Sequence, residues 1–234
     1  MISKIEPIGK HKDNQVMVKH KDREFGQDLF VKLEQLAGTA GLAGGAGLTD
    51  PQELRKMKKF RFQLLHRWLV AHFTPCRVAD IAGGKGLLAY LLQESGWQVT
   101  VIDPHYQPLN EKYKDIATGQ RVKLAQTDYV PHINKPFTRE MAESFDLLVG
   151  MHAHGCNIEI IDAAAQFGCT FVLFPCCVIG EPFVPPAGEH WLESLAAYVL
   201  HWGHTVRPFR LNFKGQNIGL FGAGREKVSS QALA

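Results

Sequence analysis

Apolar positions fall into two alternating rhythms from residue 77 onward. Short continuous apolar runs at 78–81, up to Ile102, at 145–151 and at 169–174 read as strands buried on both faces of a parallel sheet. Between them, helix-spaced stretches cover 87–92, 158–167 and 189–202. The run at 121–127 reads as the third strand, ending at Asp128, with a short helix at 108–117, a loop at 131–137 and a helical turn or two at 138–144. At the end, two runs at 205–213 and 218–222 flank Lys214-Gly215-Gln216-Asn217, whose turn chemistry predicts an antiparallel pair. Ahead of this block, Phe25, Leu29, Phe30, Leu33 and Leu36 are spaced for a helix, and residues 38–47 hold five glycines, a flexible joint. Asp50, Pro51 and Glu53 then supply an N-cap acid, a first-turn proline and a third-position glutamate. They predict a long helix burying Leu54, Met57, Phe60, Leu64, Leu65, Trp68 and Leu69. Five strands alternating with helices and closed by an antiparallel pair make an α/β fold with one seven-stranded sheet, preceded by a helical N-terminal extension.

Composition sharpens this only in places. The 234 residues carry a net charge of +3, unevenly spread. Residues 1–75 hold 13 Lys/Arg against 8 Asp/Glu, and residues 76–234 hold 13 against 15. Arg55, Lys56, Lys58, Lys59 and Arg61 form the densest cationic patch, which suits phosphate contacts and equally a solvated helix face. Five cysteines and a charged N-terminus predict reduced thiols in a cytoplasmic protein, and no apolar run has membrane-spanning length. Residues 1–48 are expected to form a basic arm, helix and glycine joint, and residues 49–228 the main domain.

The chemistry concentrates where strands end. The first strand runs into Asp80-Ile81-Ala82-Gly83-Gly84-Lys85-Gly86, and the second ends at Asp103. Glycines there let a backbone approach a ligand, the following helix offers unpaired N–H groups, and an acid at the second tip accepts from a ribose diol. Any parallel α/β fold has glycines at such turns, but that does not account for two acids at successive tips. Dinucleotide sites use Gly-x-Gly-x-x-Gly, which this spacing does not supply. The run Asp80-x-x-Gly83-Gly84-x-Gly86 instead resembles the first motif of class I S-adenosylmethionine-dependent methyltransferases, with Ala82 in place of the first glycine. The resemblance implies a seven-stranded Rossmann-like sheet and S-adenosylmethionine as cofactor. It also implies that Asp80, Ala82, Gly83, Gly84, Gly86, Asp103, Asp128 and Met151 contact that cofactor, Asp128 through the adenine amine.

Further tips add imidazoles and thiols. Residues 145–155 resemble the Asp-Leu-x-Val-Gly-Leu-His-x-Cys-Gly run of methyltransferase-like proteins related to the transfer RNA 2′-O-methyltransferases, with His154 replacing the cysteine. Lys58-Lys59 and Cys176-Cys177 match further features of that group, and the likeness spans about residues 55–180. It implies methyl transfer to RNA, transfer RNA first, with Lys58, Lys59 and Cys176 meeting the substrate. His152 and His154 are candidate general bases, because imidazole titrates near neutral pH. Two other readings use the same residues. His152, His154, Cys156, Cys176 and Cys177 have the ligand types for zinc, although His-x-His-x-Cys is not a standard structural spacing. A cysteine at the fifth tip is also similar to the nucleophile of RNA cytosine-5 methyltransferases, without their flanking signatures. A small-molecule or protein acceptor, or a non-catalytic S-adenosylmethionine-binding module with a zinc site, stands as the alternative function.

Overall fold

The computed structural model describes residues 24–39, 58–125 and 127–223. Its centre is a seven-stranded sheet built from β1 (Arg77–Ile81), β2 (Gln98–Ile102), β5 (His132–Ile133), β6 (Leu147–Met151), β7 (Thr170–Phe174), β8 (Arg207–Arg210) and β9 (Ile218–Ala223). The strand order is β5-β2-β1-β6-β7-β9-β8, parallel through β7, with β9 antiparallel to both β7 and β8. The α/β class, the number of strands in the sheet and the closing antiparallel pair are those expected from the apolar rhythm.

Helices cover both faces. One face buries Leu29 and Leu33 of α1 (Glu24–Leu36), Ile160, Ile161 and Ala164 of α4 (Asn157–Phe167), and Leu192, Leu195 and Val199 of α5 (Trp191–His201). The other buries Leu65, Trp68 and Leu69 of α2 (Arg61–His72) with Leu88, Ala89 and Leu92 of α3 (Leu87–Glu94). Trp68 is the anchor of α2: its ring stacks on Phe209 with centroids 3.8 Å apart, and it is 2% exposed. Truncating such a residue costs about 3–5 kcal/mol. Histidines on helix faces serve structure, as His66 to Ser95 Oγ at 2.7 Å and His72 to the Trp68 carbonyl at 2.7 Å illustrate.

Three local expectations are corrected. Residues 121–127 are not the third parallel strand. Among the described residues of that stretch the strand is β4 (Arg121–Lys123), and it pairs antiparallel with β3 (Lys112–Lys114), inside the stretch expected to be helical, as a separate two-stranded ribbon. Gln63 of α2 pins the ribbon, donating to the Lys114 carbonyl and accepting from the Ile116 amide, each at 2.8 Å. The third parallel strand is the two-residue β5, in the segment expected to be loop, registered on Val101 and Ile102. The long helix is seen from a short 3-10 turn at Lys58–Phe60 onward. Its Asp50-Pro51 cap and the glycine joint beyond Thr39 lie outside the described residues, as does the boundary at 48. Among the described residues no helix is long and apolar enough to cross a membrane.

Candidate active site

Open α/β sheets bind ligands in crevices at the carboxyl ends of their strands, and two candidate clefts fall there in this chain, one at the tips of β1 and β2 and one at the tips of β6 and β7. At the first, β1 ends and the chain turns at once: Ala82 takes φ of 54° while its amide donates to the Ile102 carbonyl at 2.8 Å. A left-handed alanine stores backbone strain, the kind found at functional sites. Gly83 follows because nothing larger fits. A Cβ there would lie 2.5 Å from Asp80 Oδ2 and 3.0 Å from the Asp80 carbonyl oxygen. Gly84 and Gly86 also have positive φ, and Gly86 is the residue from which α3 starts.

Asp80 lies beneath this turn, 1% exposed. Burial pushes its carboxyl up to about 7, a bond from the Ala89 amide in the first turn of α3 offsets part of that, and the charge of Asp103 adds to the rise. Asp80 Oδ2 is buried with no partner among the described residues. A buried acid with an unsatisfied oxygen at a helix N-terminus can receive a cationic donor. On the next strand, Asp103 Oδ2 accepts from the Gly84 amide at 3.1 Å and Oδ1 from the His105 amide at 2.9 Å. Each of those oxygens keeps a second lone pair for a hydroxyl.

The second cleft lies at the tips of β6 and β7. Met151 ends β6, 5% exposed, and His152 follows with φ of 61°, its amide donating to the Phe174 carbonyl. Both ring nitrogens of His152 are buried without a partner among the described residues. Burial holds its pKa down at about 4, helped by the charges of Lys58, Arg61 and His154, so the imidazole is neutral near pH 7. The cations of the 3-10 turn and the first residue of α2 thus act on His152. Lys58 also acts on the Cys176 thiol, which burial and the Cys177 thiol push up to about 11. A thiol held protonated is a poor nucleophile, which disfavours a covalent role for Cys176.

His154 stands opposite the cysteines. Its Nδ1 is 2.9 Å from Cys177 Sγ, its Nε2 is 3.5 Å from Cys176 Sγ, and the two sulfurs are 3.9 Å apart. Of the five residues considered for zinc, these three gather, with all ligand atoms within 4.8 Å of one another. His152 and Cys156 are not part of that group, and Cys156 precedes α4 at its N-cap. Cys177 meets an imidazole here.

Two loops are sewn together beneath this cluster. The Glu181 carboxylate accepts from the Asn157 and Ile158 amides at 3.0 and 3.2 Å and from Asn157 Nδ2 at 2.6 Å, an anion on the N-terminus of α4. Gly155 and Gly180 touch backbone to backbone, so that a Cβ on Gly155 would sit 3.1 Å from the Gly180 carbonyl oxygen. Sequence reasoning missed Glu181. The available signal is that no other acid occurs between Asp162 and Glu189.

Asp128 is the site residue whose setting differs from expectation. It precedes the third parallel strand instead of ending it, and its Oδ2 accepts from the Ala125 amide at 2.8 Å within its own turn. The same segment still packs against the glycine turn, since the buried Val130 side chain lies 3.4 Å from where a Gly86 Cβ would project.

The sequence matches no family model, and no curated protein matches it. Among solved structures it is similar to magnesium protoporphyrin IX methyltransferase from Synechocystis PCC 6803 with bound S-adenosylmethionine, at 15% identity and TM-score 0.44, over 71% of this chain and 79% of that one. It is also similar to 1,6-didemethyltoxoflavin-N1-methyltransferase from Burkholderia thailandensis, at 15% identity and TM-score 0.43, over 71% and 78%. A third similar structure is a fibrillarin/Nop5p complex, at 15% identity and TM-score 0.44, over 73% and 84%. What the chain does has to be read from its own residues.

Proposed function

We propose that the protein is an S-adenosylmethionine-dependent methyltransferase acting on RNA, transfer RNA first. The observation that carries the cofactor reading is the Asp80 carboxyl, buried with one oxygen unsatisfied beneath a glycine turn that admits no side chain at 83. S-adenosylmethionine has an ammonium and a sulfonium for an acid to meet and a ribose diol for the next acid, Asp103. Asp80, Ala82, Gly83, Gly84 and Gly86 would hold the amino-acid end, Asp103 the ribose, and Asp128 and Met151 the remaining rim. When bound, the cofactor supplies an electrophilic methyl group. A pyrophosphate would meet a buried carboxyl in the same place, which disfavours a dinucleotide.

The chain's own contribution to transfer lies at the second cleft. In-line displacement depends above all on placing the acceptor. His152, with neither nitrogen engaged, accepts a proton from an acceptor hydroxyl or amine, and His154 lies two residues on at the mouth. Lys58 and Arg61, whose charges act on His152, with Lys59 next in the chain, would meet a polyanionic substrate. Cys176 borders the same mouth.

Calorimetric titration with S-adenosylhomocysteine, run beside NAD and beside Asp103→Ala, tests the cofactor. Binding of the first alone, weakened in the variant, is the expected result, and a folded sample that binds neither ligand overturns the reading. Methyl transfer from labelled cofactor to unfractionated transfer RNA, lost on pretreatment with ribonuclease and reduced in Lys58→Glu/Lys59→Glu, is the result expected for the acceptor. Transfer only to peptides or small metabolites would replace RNA as substrate.

A further inference from the structure

We propose that His154, Cys176 and Cys177 form a three-ligand site for a zinc-class divalent metal ion, with its fourth position open to solvent at the mouth of the second cleft. This does not depend on the methyltransferase reading. Direction is the first ground. The adjacent cysteines, beyond the end of β7 and free of its strict side-to-side alternation, turn both sulfurs toward one imidazole, 3.9 Å from each other. Distance is the second. Zinc–sulfur bonds of about 2.3 Å and zinc–nitrogen bonds of about 2.0–2.1 Å in a tetrahedron put ligand atoms roughly 3.5–3.8 Å apart. With Nδ1 as the ligand atom, the separations are 2.9 Å to Cys177 Sγ, 3.9 Å to Cys176 Sγ and 3.9 Å between the sulfurs; they bracket that edge, so a small rotation of the imidazole sets three corners of the polyhedron.

The ligands are also preorganised. His154 belongs to the loop after β6 and the cysteines to the loop after β7, and the Gly155–Gly180 contact and the Glu181 bonds to α4 hold those loops together. Two sulfurs and an imidazole select zinc, cobalt or copper over magnesium or calcium. On binding, each thiol gives its proton to solvent, two metal–sulfur bonds and one metal–nitrogen bond form, and the two thiolate charges cancel the 2+ of the ion. His154 and Cys176 are exposed, so no described side chain closes the fourth position, which takes water or an acceptor atom with a lone pair.

The test uses cobalt(II) as a spectroscopic probe on the full chain, chelator-treated and reduced. One cobalt per chain is expected, with sulfur-to-cobalt charge transfer in the near ultraviolet and tetrahedral bands in the visible, all displaced by zinc. Cys176→Ser/Cys177→Ser should lose the charge-transfer band, and His154→Gln should weaken binding about tenfold or more. Added imidazole should shift the visible bands by taking the open position. A folded, reduced protein with no charge-transfer band overturns the proposal, as does a band that survives in the double cysteine variant. A visible spectrum indifferent to imidazole overturns the open position. Because His154 and Cys176 are exposed and Cys177 is half-buried, circular dichroism unchanged in the variants separates ligand loss from misfolding. Titration with S-adenosylhomocysteine on the same samples reads the cofactor site independently.

Discussion

The tips of β1 and β6 are neighbours in one sheet and begin alike, each followed at once by a non-glycine residue in the left-handed region, Ala82 and His152. Beyond that residue they are built on opposite plans. The β1 tip works through backbone and shape: a glycine turn with no room at 83 and two acids tied to amides. The β6 tip works through side chains, with free imidazole nitrogens, two thiols and cations from α2. Substitution at the first tip should therefore remove fold and ligand together, whereas at the second it should remove chemistry and leave the fold.

The strongest challenge to this contrast is to find it reversed in a pair of variants. His152→Asn keeps a residue tolerant of positive φ and deletes the proton acceptor. Methyl transfer should fall by about 10²–10⁴ while S-adenosylhomocysteine affinity and the unfolding midpoint hold, as measured by labelled transfer, calorimetry and urea denaturation. Gly83→Ala should do the converse, abolishing cofactor binding and destabilising the chain by about 1–3 kcal/mol as the new Cβ collides with Asp80. Normal binding by the Gly83→Ala variant would show the first tip to be pliant.

A smaller effect is expected at Asp103→Asn. It weakens two bonds to amides and a diol contact, so that affinity drops about 10–100-fold by calorimetry, in keeping with charge-assisted bonds worth about 1.5–3 kcal/mol.

Acidity separates the two tips further. Asp80 keeps its proton in the folded chain up to about 7, while the unfolded chain releases it near 3.8. Across that window the folded state binds the extra proton, so stability falls as pH rises, by at most about 1.4 kcal/mol per pH unit, and the slope ends above about 7. Urea unfolding of Asp80→Asn should lack this component, its difference from wild type growing through the window and then levelling. The smallest effect belongs to Gly155→Ala, about 1–2 kcal/mol from its φ of 70° alone, read as a lowered midpoint with cofactor affinity unchanged.

How much of this is readable along the chain follows from the same contrast. The β1 tip is local: acid, glycines and next acid are within one βαβ unit, and their spacing exposes them. So are the long apolar runs that form β6 and β7. The third strand misleads because Val122 and Leu124 among basic residues imitate an alternating strand, and Arg121–Lys123 is one, but its partner is the local β3. The true edge strand is two residues long and exists only through its register on Val101 and Ile102, below any length at which periodicity speaks. The expectation for Asp128 fails with it. At the second cleft the residue types are evident, but the grouping of His154 with Cys176 and Cys177, and the exclusion of His152 and Cys156 from it, depend on how two distant loops meet. Glu181, which ties those loops, is one acid in a proline-rich stretch and gives no pattern.

Ala82 carries a consequence for how such a turn can change over time. In the folded state a left-handed alanine costs about 1–2 kcal/mol relative to glycine, while in the unfolded state glycine has more freedom to lose, by about 0.5–1 kcal/mol. The two terms oppose each other and leave a net difference of about 0–1.5 kcal/mol. A lineage can therefore exchange glycine and alanine at this position almost without selection, in either direction. Gly83, one residue on, has no such freedom, because its substitution meets Asp80 head-on. Neighbouring letters of one motif can thus drift at very different speeds, and a search that weights them equally will pass over chains that keep the turn and have lost only its first glycine.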